Sequence, residues 1–144
     1  MSEPTRVYVD MVGDLFHAGH VALLRAARDF GDEVVVGVLS DETVASYKRR
    51  PVMTLDERVA VVEACRYVDE VVPDAPLRLT RKFLDEHRLA LVVHGDDLAA
   101  EGLADVYGPV LEAGLLRLVP RVGDLSTTAL LARIRGSGVS DPPS

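Results

Sequence analysis

Five short runs dominated by valine and leucine, RVYVDMV (6–12), EVVVGVL (33–39), VDEVV (68–72), LALVVH (89–94) and LLRLV (115–119), recur along the chain with helical patterns between them. Near-continuous apolar runs of this length suit strands buried on both faces. The intervening segments read as helices: HVALLRAARDF, TLDERVAVVEACRY with Thr54 and Glu57 spaced as a capping box, LTRKFLDEHR with Thr80 as N-cap, and STTALLARIR behind Ser126. Residues 98–114 read as loop with one or two helical turns, because Gly102, Gly108 and Pro109 interrupt any longer helix. Strand and helix alternating in this order imply right-handed crossovers and an open parallel sheet that binds ligands at the carboxyl ends of its strands.

The expectation is therefore an α/β fold: a Rossmann-like, open, parallel five-stranded sheet with helices on both faces. It forms a single domain over residues 1–135, followed by a flexible tail at 136–144 in which GSGVSDPPS is rich in turn formers. With 144 residues, 48% of them hydrophobic, the chain can build one sizeable core but not two domains. A net charge of −7 disfavours a nonspecific grip on a nucleic-acid backbone, which needs a basic face. Any phosphate must be held locally. The single cysteine, Cys65, excludes an intrachain disulfide framework, and no run reaches the ~18 apolar residues of a membrane span. The opening MSEPTRVYVD lacks the basic start and apolar stretch of a signal peptide. A cytoplasmic protein with neither nucleic acid nor membrane as partner is expected, and no internal repeat is visible.

The segment GDLFHAGH (13–20) holds two of the chain's four histidines at the junction between the first strand and the first helix. There His17 and His20 would lie beside a helix N-terminus, whose unpaired N–H groups and dipole favour an anion, and Gly19 would let a phosphate approach the backbone. Two other readings stand beside this one. The histidines could cap the helix or lie on the surface, or they could begin a zinc site with Asp14, Asp96 or Asp97, although no second Cys or His cluster accompanies them.

HAGH matches the HxGH signature of the nucleotidyltransferase superfamily. Three further stretches, RYVDEVVPDAP (66–76), HGDD (94–97) and RVGDLSTT (121–128), resemble the cytidylyltransferase branch in the same order, the last being similar to an RTxGxST motif. Together they reach from Arg6 to about Arg135, and on them the chain resembles the phosphoethanolamine, phosphocholine and glycerol-3-phosphate cytidylyltransferases. The resemblance implies an enzyme that transfers the cytidylyl group of CTP to a small phosphate or phosphonate acceptor, with Mg2+, releasing pyrophosphate by direct in-line attack. It further implies that His17 and His20 donate to the triphosphate, that Lys48 bridges CTP and acceptor, and that Arg121 clamps a phosphate. By the same resemblance Ser126, Thr127 and Thr128 hold the β- and γ-phosphates, Arg66 lies near the cytosine end, and Gly95, Asp96 and Asp97 turn over base and ribose. Asp14 becomes a magnesium partner or a histidine-orienting group, and residues 67–71, bounded by Tyr67 and Val71, a homodimer interface. Arg49 and Arg50 read as solvated charges or an anion-steering rim, and Arg58 as secondary. Arg78, Arg81 and Tyr107 read as surface, with a place near the acceptor as the alternative.

Departures matter too. Met11 and Gly13 replace a usual glycine and aromatic residue, Val122 replaces a threonine, and Asp124 stands where glycine is usual and should repel a triphosphate. Phosphocholine enzymes carry DAPW where this chain has DAPL with Leu77, and it contains no tryptophan, so an aromatic cage for a quaternary ammonium is missing and choline is disfavoured. An acceptor such as phosphoethanolamine, glycerol 3-phosphate or a two-carbon phosphonate remains. The competing readings are an adenylyltransferase of the same superfamily, a non-catalytic nucleotide-binding dimer, and a zinc hydrolase.

Overall fold

A computed structural model of the chain describes residues 3–121 and 123–136. The strands are β1 (Arg6–Met11), β2 (Glu33–Val38), β3 (Glu70–Pro73), β4 (Leu91–Gly95) and β5 (Leu116–Val119). They form one parallel sheet in the order β3-β2-β1-β4-β5. Helices fill every connection: α1 (Ala18–Arg28), α2 (Asp41–Ala45), α3 (Leu55–Glu63), α4 (Arg81–Glu86) and α5 (Ala100–Glu112), with α6 (Thr127–Gly136) after β5.

The period-two alternation of the strands divides the core. Val7, Val9 and Met11 of β1 pack with Val34, Val36 and Val38 of β2 beneath Leu24 and Ala27 of α1 and Val62 of α3. Tyr8, Val35 and Val92 face the other way, against Leu84 of α4 and Tyr107 and Val110 of α5. Both faces are thus covered, which is why the strands are apolar throughout and not alternating. The chain runs from β1 outward to β3 and then returns to place β4 on the opposite side of β1. That reversal opens a crevice at the carboxyl ends of β1 and β4, where open α/β sheets bind ligands.

The Thr54–Glu57 capping box forms, as does the Thr80 cap, whose Oγ1 accepts from the Phe83 N–H at 3.1 Å. Two elements differ from the expectation. Residues 100–112 are helical, with a kink at Tyr107 (φ −117°, ψ 19°) and Pro109 just past it. At the start of the second helical segment the missing proline N–H has no intrahelical partner to lose, so the residue read as a breaker is tolerated. Burial of Tyr107 and Val110 holds both halves against the sheet. The short helix α2, capped by Ser40, whose Oγ accepts from the Thr43 N–H at 3.1 Å, was not anticipated. Its five residues are too few for a periodic signal. Gly136 ends α6, and the tail expected at 136–144 otherwise lies outside the described residues, as does Val122.

Candidate active site

The turn after β1 begins at Gly13, whose φ of +70° suits a residue without a side chain. His17 then caps α1. Its backbone is extended (φ −140°), and its ring Nδ1 accepts from the Gly19 N–H at 3.0 Å, while the Nδ1 of His20 accepts from the His17 N–H at 3.1 Å. The reciprocal pair is a capping box built from imidazoles. It also fixes chemistry: a neutral ring that accepts at Nδ1 carries its proton at Nε2, so both histidines present an Nε2–H donor. The cap and the anion-donor readings of GDLFHAGH are therefore compatible. Gly19 has a more local reason than phosphate approach. A β-carbon there would lie 2.8 Å from His17 Cε1 and 3.3 Å from the Leu125 carbonyl oxygen, so a side chain would displace the capping ring.

Burial keeps both rings neutral. It lowers the pKa of His17, helped by Arg121, and pushes that of His20 down to about 4, with His17 and Lys48 adding to the shift and Asp14 opposing it. Protonation would place hydrogen on Nδ1, against the N–H groups those atoms now accept. The unfolded chain takes up the proton near the ordinary value of about 6.5 and the folded chain only near 4. Stability should therefore fall as pH drops through this window and stop responding to His20 below it. Thermal midpoints of the wild type and His20→Gln between pH 7 and pH 4 test this; equal slopes would remove His20 as the linked group.

Three segments meet at Asp14. Its carboxylate oxygens accept from the Val52 and Met53 N–H groups at 2.9 and 3.0 Å, and its carbonyl accepts from the Thr127 hydroxyl at 2.8 Å. This pins the loop carrying Lys48 and the start of α6 to the turn carrying His17. A pocket between them is lined by Asp14, His20, Lys48, Arg49, Pro51 and Thr127. Desolvation, with Arg49 beside it, lowers the pKa of the Lys48 ammonium, while Asp14 and Asp97 hold it up. Ser126 caps α6, its Oγ accepting from the Ala129 N–H at 2.9 Å. Arg121 donates to the Leu125 carbonyl at 3.2 Å and is otherwise exposed. Gly95 ends β4, Asp96 donates its N–H to the Val119 carbonyl, and Asp97 lies 3.8 Å from His94 at the same end of the sheet.

Arg66 is not brought to this pocket. It follows α3 at the amino ends of the strands, beside the edge strand β3, whose first residue Glu70 meets Arg6, the first residue of β1, at 3.3 Å. Residues 67–71 share that edge. Each Asp14 carboxylate oxygen already accepts one backbone N–H, and no group of three or more His, Cys, Asp or Glu among the described residues could hold a metal ion by itself. A zinc pair lacks ligands for the same reason. A cation accompanying a nucleoside triphosphate would be carried largely by the phosphates themselves.

Two features of the site were missed in the sequence, Arg58 being read as secondary and Asp10 not singled out. Arg58 is fully buried; it donates to the carbonyls of Val12 (2.8 Å), Leu39 (2.7 Å) and Met53 (3.1 Å) and pairs with Asp41. Its position, three after Leu55 and four before Val62, places it on the inward face of α3, and that spacing is a readable signal. Asp10 is buried in β1. It accepts from the Tyr107 hydroxyl, whose oxygen lies 2.9 Å from His94 Nδ1. Because that hydroxyl gives its proton to Asp10, His94 must donate from Nδ1. Burial raises the Asp10 pKa, opposed by Tyr107 and His94. A carboxylate inside VYVDMV was the visible anomaly. Tyr107, read as surface, is 1% exposed.

No helix among the described residues is long and apolar enough to cross a membrane. In overall shape the chain is similar to a lipopolysaccharide core biosynthesis protein from Thermoplasma volcanium, with a TM-score of 0.68 at 23% identity over 85% of this chain and all of that one. A pantothenate synthetase from Thermus thermophilus gives 0.57 at 18% identity, covering 88% of this chain and 61% of that one. These likenesses concern the fold. In sequence the chain is 44% identical to the ethanolamine-phosphate cytidylyltransferase of Dictyostelium discoideum, over 92% of this chain and 37% of that protein. It is 42% identical to human choline-phosphate cytidylyltransferase A, over 91% of this chain and 36% of that protein. The chain thus spans little more than a third of the length of these relatives. The family model described as cytidylyltransferase-like matches residues 13–133, from the turn before His17 to the middle of α6, and the chain belongs to that family.

Proposed function

We propose that the chain transfers the cytidylyl group of CTP to a small amine-bearing acceptor, phosphoethanolamine or a two-carbon aminophosphonate, and releases pyrophosphate. The observation that carries the reading is the pair of imidazoles, each held with Nε2–H as donor, of which His20 lines the pocket with Lys48 and Thr127 and His17 packs against it with ring centroids 4.0 Å apart. An acceptor phosphate is already largely a dianion at neutral pH, its second pKa being about 6. It needs no general base. One of its oxygens forms a bond to the α-phosphorus as the bond to the β-phosphate oxygen breaks, and that electron pair leaves on pyrophosphate. Catalysis then rests on fixed donors placed where charge gathers, which is what His17, His20, Lys48 and Arg121 offer. Asp96 and Asp97 would meet base and ribose.

The acceptor's head follows from Asp10. A buried carboxylate held by a tyrosine and a histidine, with no lysine or arginine paired to it among the described residues, suits an ammonium group. Relatives named for ethanolamine phosphate agree with this reading, and the absence of tryptophan argues against a trimethylammonium cage. The same proposal includes a homodimer through residues 67–71, where β3 pairs only with β2 among the described strands. Arg66 would then serve that edge.

Pyrophosphate release should be measured with CTP or ATP against phosphoethanolamine, phosphocholine, glycerol 3-phosphate, and 2-aminoethyl- and 2-hydroxyethylphosphonate. CTP with an amine-bearing acceptor is the expected pair. Asp10→Asn should then raise KM for that acceptor by at least about thirtyfold, the cost of removing one partner of a buried charge pair, and affect glycerol 3-phosphate much less. Equal losses would make Asp10 structural. CTP binding with no pyrophosphate from any acceptor would leave a nucleotide-binding module.

A further inference from the structure

The three consecutive cations 48–50 are separated by the fold. Arg50 turns back toward α2, 3.9 Å from Asp41 and 3.8 Å from Glu42. Arg49 turns the other way. Its Nη1 lies 3.3 Å from the Oγ1 of Thr128, on the first turn of α6 and 79 residues distant in sequence, and it lines the pocket that holds Lys48 and His20. No carboxylate lies within ion-pair distance of Arg49 among the described residues, although its neighbour Arg50 has two.

We propose that Arg49 is a second phosphate clamp, gripping the terminal phosphates of CTP and the departing pyrophosphate between the loop after α2 and the first turn of α6. This rests on the reading of the pocket as a CTP site and adds a residue to it. Lys48 is a compact charge that follows a phosphate wherever it moves; a guanidinium offers a planar fork that fixes two phosphate oxygens at once. One of the five Arg49 N–H groups meets a neutral hydroxyl, and Thr128 sits where α6 still has unpaired N–H groups. A phosphate entering between them exchanges that weak bond for charge-assisted ones to both segments. It also separates two adjacent like charges, since Lys48 and Arg49 stand side by side. Because the grip falls on the β- and γ-phosphates, it acts on the triphosphate and on pyrophosphate but not on a nucleoside monophosphate.

Titration calorimetry with CTP, CMP and inorganic pyrophosphate on the wild type, Arg49→Gln, Arg49→Lys and Arg50→Gln tests this. Arg49→Gln should weaken CTP and pyrophosphate about tenfold or more, as expected for a lost charge-assisted bond, and leave CMP within about twofold. Arg49→Lys should recover only part of the loss. Arg50→Gln should match the wild type for all three. Unchanged pyrophosphate affinity in Arg49→Gln, or an equal loss for CMP, overturns the clamp. A wild-type protein that binds neither CTP nor pyrophosphate overturns the clamp together with the functional reading, so the two failures are distinct.

Discussion

His17→Asn and His20→Gln should each lose turnover by about a hundredfold to a thousandfold while α1 stays folded, the loss typical of removing one fixed donor from a site of developing negative charge. The choice of substitution matters because both histidines hold the helix end, and His20 also lines the pocket. Alanine at position 17 would remove the cap at a cost of about 1 kcal/mol and blur the result. Asparagine is among the best N-cap residues, and its side-chain oxygen can accept from the Gly19 N–H as Nδ1 does now. Glutamine at the third helical position is the usual reciprocal partner in a capping box. What neither shorter side chain reproduces is the Nε2–H reaching out from the ring. If donation is the role, kcat falls and the thermal midpoint changes little. Near wild-type kcat in both variants, with normal folding, would reduce GDLFHAGH to a helix cap.

How far the sequence speaks for itself differs between fold and site. The order of strands and helices was legible because residues buried on both faces leave long valine runs, and Thr54 and Thr80 announce their helices by chemistry. The helix at 100–112 was hidden because Gly102, Gly108 and Pro109 oppose it locally, and only burial of Tyr107 and Val110 overrides them. His17, His20, Lys48, Ser126 and Thr127 were readable from motifs; of these His20, Lys48 and Thr127 line one pocket, while His17 packs against His20 and Ser126 caps the helix that Thr127 begins. Arg66 was carried in by the same motifs and lies at the amino ends of the strands, outside the lining of this pocket, because a local motif does not say which end of a strand it flanks. Asp10 and Tyr107 meet across 97 residues, and Arg58 reaches Val12 and Leu39 across 46 and 19; spacing can place Arg58 on the inward face of α3 but cannot name these partners.

Arg58→Met should cost about 3–5 kcal/mol, the range for breaking a buried, hydrogen-bonded ion pair by removing one partner. Methionine keeps an unbranched apolar stem, so little of the loss should come from an unfilled cavity. It comes from three carbonyls, those of Val12, Leu39 and Met53, left without donors, and from Asp41 left without its guanidinium. For a domain whose total stability is about 5–15 kcal/mol, that is a large share, and the thermal midpoint should fall by about ten degrees. Arg58→Lys keeps the charge but cannot reach four acceptors with one nitrogen, so it should fall between the two. Asp41→Asn, altering a partner that still meets solvent, should cost less than either. The effect should extend to ligand binding. Val12 and Leu39 are the first residues beyond β1 and β2, and Met53 belongs to the loop that Asp14 pins beside Lys48. Arg58 therefore ties together the strand ends and the loop that form the floor of the pocket. Well below its melting transition, Arg58→Met should still bind CTP more weakly than the wild type. A midpoint within about two degrees of the wild type, with unchanged CTP affinity, would mean that water or rearranged backbone replaces the guanidinium and that Arg58 does not organise the site.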